Sequence, residues 1–293
     1  MERINVLKTY KIFIGGQFPR TESGRYYPLL NKKGETLANV CLSSRKDFRN
    51  AAVAARAAFG GWSGRAAMNR GQILYRIAEM MEGRKSQSID ELIQMGNTAK
   101  SAQEEVNLAI DRTVYYSGWC DKYQALFGSV NPVASSHFNF SVPEPMGVVA
   151  IIGPETPSLL GLVSSIMPAI AGGNTVIFLA SETQPLCAVT MAEILHSSDL
   201  PAGVVNVLTG HSAELHSHFA SHMDVNAIVY YRNSANEIKN IQELASLNVK
   251  RSFIKNEDAW KSETESPYSI LDLQEIKTTW HPIEQIGGAK SSY

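Results

Sequence analysis

Apolar residues follow two rhythms along this chain. Between residues 46 and 126 they recur every three or four positions, as on one face of a helix. In 46–59 (KDFRNAAVAARAAF) the stripe is Phe48, Ala52, Ala55 and Phe59; in 69–81 it is Ile73, Leu74, Ile77, Met80 and Met81. A third, longer helix is predicted over 101–126, ending before Gly128. Ahead of these helices, 10–15 and 36–42 are short β-branched or aromatic runs bounded by Gly, Pro and Asn, which predicts paired strands framing an N-terminal lobe.

From residue 147 the rhythm becomes strand, helix, strand. Apolar strands are predicted at 147–152, 175–179, 204–208 and 226–231, with helices at 158–171, 185–196, 212–221 and 234–246 between and after them. Strands apolar at every position are buried on both faces. The fold class that follows is α/β, a Rossmann-like doubly wound parallel sheet, which takes ligands at the carboxyl ends of its strands. Two further strands, 137–142 (HFNFSV) and 270–281 (ILDLQEIKTTWH), belong to no βαβ unit and are expected to pair as a small antiparallel arm. Residues 256–267 (NEDAWKSETESP) are polar without periodicity and read as a linker.

Composition narrows the picture. The 293 residues are 44% hydrophobic and 19% charged, an ordinary globular balance, and 27 Lys plus Arg against 28 Asp plus Glu include no basic cluster suited to a phosphate backbone. Nucleic acid is not an expected partner. Three scattered cysteines, Cys41, Cys120 and Cys187, make no disulfide framework, and the start MERIN has no charged-then-apolar signal pattern, so a reduced, cytoplasmic protein is expected. The most apolar stretch, 147–173, is interrupted by Pro154, Glu155, Pro157 and Pro168 and is no membrane span.

Several short features, in order, carry a family resemblance. YKIFIGGQF, NKKGETLANV, DFRNAAVAARAAFGGWS and NRGQILYRIAEMME, then EPMGVVAIIGP, PAIAGGNTVIF, LPAGVVNVLTG and SHMDVNAIVYY, resemble successive segments of an aldehyde dehydrogenase. LDLQEIKTTWHP is similar to that family's C-terminal oligomerisation strand. The resemblance implies a nucleotide-binding-like α/β domain over 1–126 and 145–255 and an oligomerisation arm over 127–144 and 268–293. Residues 256–267 would then stand where the family has a whole domain carrying its nucleophilic cysteine. The truncated form is similar to the second, non-catalytic module of two-domain aldehyde dehydrogenases.

The family's chemistry needs a thiolate, an oxyanion donor, a base and a positioned nicotinamide. By resemblance the oxyanion position holds Thr156 and the base position Lys255, whose ammonium reverses the required charge, so no catalytic residue is expected. For the cofactor, Gly153, Pro154, Glu182 and Gly210 survive from the family's pattern. Leu179 stands where a ribose-holding lysine belongs, and Arg232-Asn233 replace a Gly-Ser pair that opens a helix beneath the pyrophosphate. No cofactor is therefore expected, with weak NAD binding left as the alternative.

Other constellations have plainer readings. His211, His216, His218 and His222 include one i, i+4 pair but no completing ligand, so solvated histidines are expected and no metal. Tyr115, Tyr116, Trp119 and Tyr123 form a helical aromatic stripe expected to pack against the sheet, and Gly287-Gly288-Ala289-Lys290 lacks a phosphate loop's flanking strand and helix. The reading that results is a pseudoenzyme. It would be a scaffold or oligomerisation partner, either a homodimer or a hetero-oligomer with a catalytic aldehyde dehydrogenase subunit, with a residual NAD-binding regulator or oxidoreductase as the alternative.

Overall fold

The computed structural model describes residues 6–255 and 265–283. Its centre is a parallel five-stranded sheet built from β6 (Val148–Ile152), β7 (Thr175–Leu179), β8 (Val205–Leu208), β9 (Ala227–Tyr230) and β10 (Arg251–Ile254), in the order β10-β9-β6-β7-β8. Each strand before the edge strand β10 is buried at every residue. Alternation along a strand sends Val149, Ile151, Val176, Phe178 and Val229 to one face, against α6 (Ser158–Ala171) and α7 (Leu186–Ser197), with α2 (Ala67–Gly83) and α4 (Ala99–Ser117) packed outside those helices in the same core. Val148, Ala150, Ile152, Ile177 and Ile228 take the other face, under α1 (Arg45–Ser63), α8 (Ser212–Ser221) and α9 (Ala235–Ser246). Both faces are covered, as the apolar strands require.

The N-terminal portion departs from expectation in several places. Of the predicted strand 10–15, only β1 (Thr9–Tyr10) is strand, pairing with β3 (Thr36–Cys41). Phe13 instead makes a lone antiparallel bridge to Val207 on the sheet's edge, and the chain then turns through Gly15 and Gly16 at positive φ. β2 (Tyr26–Leu30), which completes this small sheet, was not anticipated, because Pro28 and its polar flanks hide the alternation. Nor was α3 (Lys85–Gln94), separated from α2 only by Arg84. The long helix predicted over 101–126 is two: α4 stops at Gly118, and α5 (Tyr123–Phe127) follows.

Strand β5 (His137–Pro145) pairs antiparallel with β11 (Gln274–Pro282) over nine residues, from Gln274 opposite Pro145 to Pro282 opposite His137. A third strand, β4 (Ser129–Asn131), adds to the other side of β5, giving an arm sheet ordered β11-β5-β4. The predicted strand 270–281 begins late. Pro267 introduces the short α10 (Tyr268–Leu271), whose Ile270, with Leu273 beyond, is buried in the main core. Asn174 Nδ2 donates to the Leu273 carbonyl at 2.9 Å, so this turn is tied to the sheet domain and only the residues from Gln274 on form arm. Most of the predicted linker (256–264) and the Gly287–290 segment lie outside the described residues.

Two tests address this packing. Phe219 is fully buried and stacks on Phe48 at 4.4 Å between ring centroids, so Phe219→Ala should cost about 3–5 kcal/mol in a urea unfolding experiment. Lys250, just before β10, is buried with its ammonium donating to the His222 carbonyl at 2.7 Å, and burial pushes its pKa down to about 8. Between that value and the ordinary lysine range near ~10.4 the unfolded chain holds a proton that the folded chain has released. Stability should therefore rise with pH across this window, and Lys250→Met should flatten that rise in urea midpoints measured from pH 8 upward.

Candidate functional site

The strand order reverses direction between β6 and β9. The chain winds outward from β6 through β7 to β8, then crosses back to place β9 and β10 on the other side of β6. In open α/β sheets the crevice at such a switch point, beyond the carboxyl ends of the strands, is where ligands bind. Here the residues leaving those ends are Gly153 and Pro154 after β6, Ala180 to Glu182 after β7, Gly210 to Ser212 after β8, and Tyr231 to Asn233 after β9.

Arg232 fills the crevice. Its side chain is 11% exposed, and every guanidinium nitrogen is engaged. Nε donates to the Gly153 carbonyl at 3.0 Å, Nη2 to the Ala180 carbonyl at 3.1 Å, and Nη1 pairs with Glu155 at 2.8 Å and with Glu182. One side chain thus joins the ends of β6, β7 and β9. Glu155 also receives the backbone N–H of Glu182 at 3.0 Å and of Thr183 at 3.1 Å, and the Ser181 hydroxyl at 2.9 Å. Glu182 accepts from the Ser212 N–H at 2.7 Å and lies 2.7 Å from His211 Nδ1. Burial alone would raise the Glu182 carboxyl, but the Ser212 N–H, His211 and Arg232 outweigh it and hold its pKa below the ordinary range. Tyr27, ring to ring with His211, is raised by burial and then by the Glu182 and Glu155 charges.

Carboxylates also occupy the helix ends that open onto this edge of the sheet. Glu182 reaches the first N–H of α8. Glu105, from α4, receives the Leu159 N–H at 2.8 Å and the Leu160 N–H at 3.2 Å in the first turn of α6. Glu237 stands in the first turn of α9, accepting the Ser212 hydroxyl at 2.5 Å and the Tyr230 hydroxyl at 2.9 Å; burial and then that bond to Glu237 lift the Tyr230 phenol to about 12.

The residues singled out from sequence separate into groups. Gly153, Glu182 and Arg232 meet, while Thr156 and Asn233 are exposed and absent from the cluster. Leu179 is fully buried in the core. Gly153 and Gly210 have packing reasons to be glycine: a Cβ on Gly153 would sit 2.3 Å from the Phe178 ring, and Gly210 has φ +147° with the Ser43 nitrogen 3.1 Å from where its Cβ would be. Pro154 is buried against Gly161, whose Cβ would lie 2.3 Å from it. Lys255 lies at the end of β10, where Nζ donates to Asp272 at 2.7 Å, fastening the sheet to the segment after α10. Sequence reading passed over Glu155 and His211 as members of this cluster. Only the lone arginine at a strand end, with acids at two others, signals it.

The discounted groups stay apart. His216 bonds the Ser212 carbonyl and Asn240, His222 lies edge-on to Phe48, and no group of three metal-ligating side chains occurs among the described residues. Tyr116 and Tyr123 are buried, with Tyr115 and Trp119 packed beside the core. No helix of the described residues is long and apolar enough to cross a membrane. All three cysteines are buried free thiols; burial lifts Cys120 to about 12 and Cys187 well above its usual value. A thiolate reagent such as DTNB should therefore titrate none of them in the folded protein and all three in guanidinium, with no fast-reacting class in the time course.

Comparison with known proteins agrees with this architecture. The aldehyde dehydrogenase family profile matches residues 20–255. A putative aldehyde dehydrogenase, DhaS, of Bacillus subtilis is 31% identical over 249 residues, covering 83% of this chain and 49% of its own length. The cytosolic 10-formyltetrahydrofolate dehydrogenase of Mus musculus is 30% identical over 234 residues, 78% of this chain and 26% of that protein. Among solved structures, an aldehyde dehydrogenase from Bacillus cereus in complex with NAD+ superimposes with a TM-score of 0.81 at 25% identity, covering 85% of this chain and 51% of its own. The chain spans about half the length of the aldehyde dehydrogenases it matches, and a quarter of the 10-formyltetrahydrofolate dehydrogenase. On the family match and these identities, the chain belongs to the aldehyde dehydrogenase family.

Proposed function

We propose that this chain is a non-catalytic member of its family that acts as an oligomerisation partner, of a second copy of itself or of a full-length aldehyde dehydrogenase. The supporting observation is the arm. β11 offers a nine-residue edge with no neighbour on its outer side among the described residues, beside exposed Phe138 (45%), Ile276 (54%) and Trp280 (56%). A long, partly apolar edge strand is a template for another strand. β11 also suits itself: antiparallel pairing of two copies about Thr278 sets Ile276 of one against Trp280 of the other. The positions that the family uses for base and pyrophosphate carry Lys255 and Arg232, both held in internal ion pairs. That supports a role in assembly over one in chemistry.

A residual NAD-binding regulator or oxidoreductase is the second reading, favoured by the intact switch-point topology and by Glu182 at the end of β7. Light scattering coupled to gel filtration tests the first. A dimer is expected at micromolar concentration, weakened about 100-fold or more by Ile276→Lys combined with Trp280→Lys. A monomer that also fails to co-purify with any aldehyde dehydrogenase subunit from its native host removes the proposal.

A further inference from the structure

An aldehyde dehydrogenase fold implies a nicotinamide dinucleotide lying across the strand ends, and the residues here do not fit one. Three observations converge. The switch-point crevice is bridged by Arg232, whose bonds to Gly153, Ala180, Glu155 and Glu182 span β6, β7 and β9. The helix N-termini that could receive phosphate oxygens already hold acceptors: Glu105 at α6, Glu182 at α8, and the Ser234 hydroxyl, which accepts the Glu237 N–H, at α9. The charge has the wrong sign as well. Glu155 and Glu182 face the guanidinium of Arg232, Glu237 stands at the adjoining helix end on the Ser212 and Tyr230 hydroxyls, and a pyrophosphate would bring two further negative charges among them.

We infer that Arg232 is a built-in occupant of the dinucleotide crevice, a lock that joins the strand ends from within so that the domain is closed to nicotinamide dinucleotides and folds without one. The glutamate best placed for ribose hydroxyls is the one that Arg232, His211 and the Ser212 N–H consume, so closing the crevice and disarming it are the same event. This inference does not depend on how the arm associates.

Thermal unfolding and calorimetric titration of the full chain test it. With millimolar NAD or NADH the midpoint should not move and no saturable heat should appear, since a ligand of the folded state necessarily raises its stability. Arg232→Ala, which leaves the half-buried carboxylates of Glu155 and Glu182 without their shared cation, should lower the midpoint on the order of 10 °C. Arg232→Lys, keeping the charge without the fork, should fall between the two and keeps the test usable if the alanine variant does not fold. A midpoint raised by either dinucleotide overturns the inference. So does an Arg232→Lys protein as stable as the parent, because the fork would then hold nothing. Gel filtration of the same samples reads the oligomer separately, so failure here is distinguishable from failure of the assembly proposal.

Discussion

A parallel sheet buried on both faces can keep polar chemistry in only one place, beyond the ends of its strands. In this chain the interiors of the central strands β6 and β7 are Val, Ile, Ala and Phe, with Asn206 of β8 the one side-chain amide inside the sheet, so the backbone groups and charges at the strand ends must be satisfied there. Arg232 does this for three strands at once. Its planar fork matches two carbonyls and two carboxylates, an arrangement that a lysine's point charge could not reproduce. Ion clusters taken partly out of water, as this one is, are costly to assemble and costlier to break, because removing one member strands the rest. The strand-end region is therefore expected to be rigid, the opposite of an open ligand cleft.

Lys255 plays a related part at the sheet's edge. Its pairing with Asp272 acts together with the bonds from Asn174 to Leu273 and from Gln274 to Gly172. Arg112, buried in α4, reaches Glu265 at 3.4 Å and Ser164 at 2.5 Å, so the returning chain is fastened at Glu265 to α4 and through it to α6. Positions at which the family resemblance implies chemistry thus hold fasteners. The bond geometry explains why charged residues are found at both.

Much of the fold could be read ahead of the structure because its signals are local. The apolar strands and the helices 158–171 and 212–221 follow from periodicity within a few residues, and the strands and helices bounded by Gly or Pro end where those residues sit. What escaped reading depends on distant partners. Strand β4 exists because β5 lies beside it, and α10 replaces the first residues of a predicted strand because Ile270 and Leu273 find the core near α6. The cluster at the switch point was half legible: Glu182 and Arg232 stood out, but Glu155 became a member only when folding brought it beside a residue 77 positions away. Thr156, its neighbour, drew attention and points to solvent.

The pairing of β5 with β11 joins residues such as Ser141 and Thr278, whose hydroxyls meet at 2.8 Å across 137 positions of sequence. Everything in the five-stranded sheet is synthesised between the two. A ribosome making this chain therefore finishes the entire sheet domain while the β11 side of β5 still waits for its neighbour, with only the three residues of β4 paired along the other side. Contacts of such long separation form late and slowly. During that interval the nascent chain presents a sticky edge, and the same property that equips the finished arm to add strands makes the unfinished one a client for chaperones.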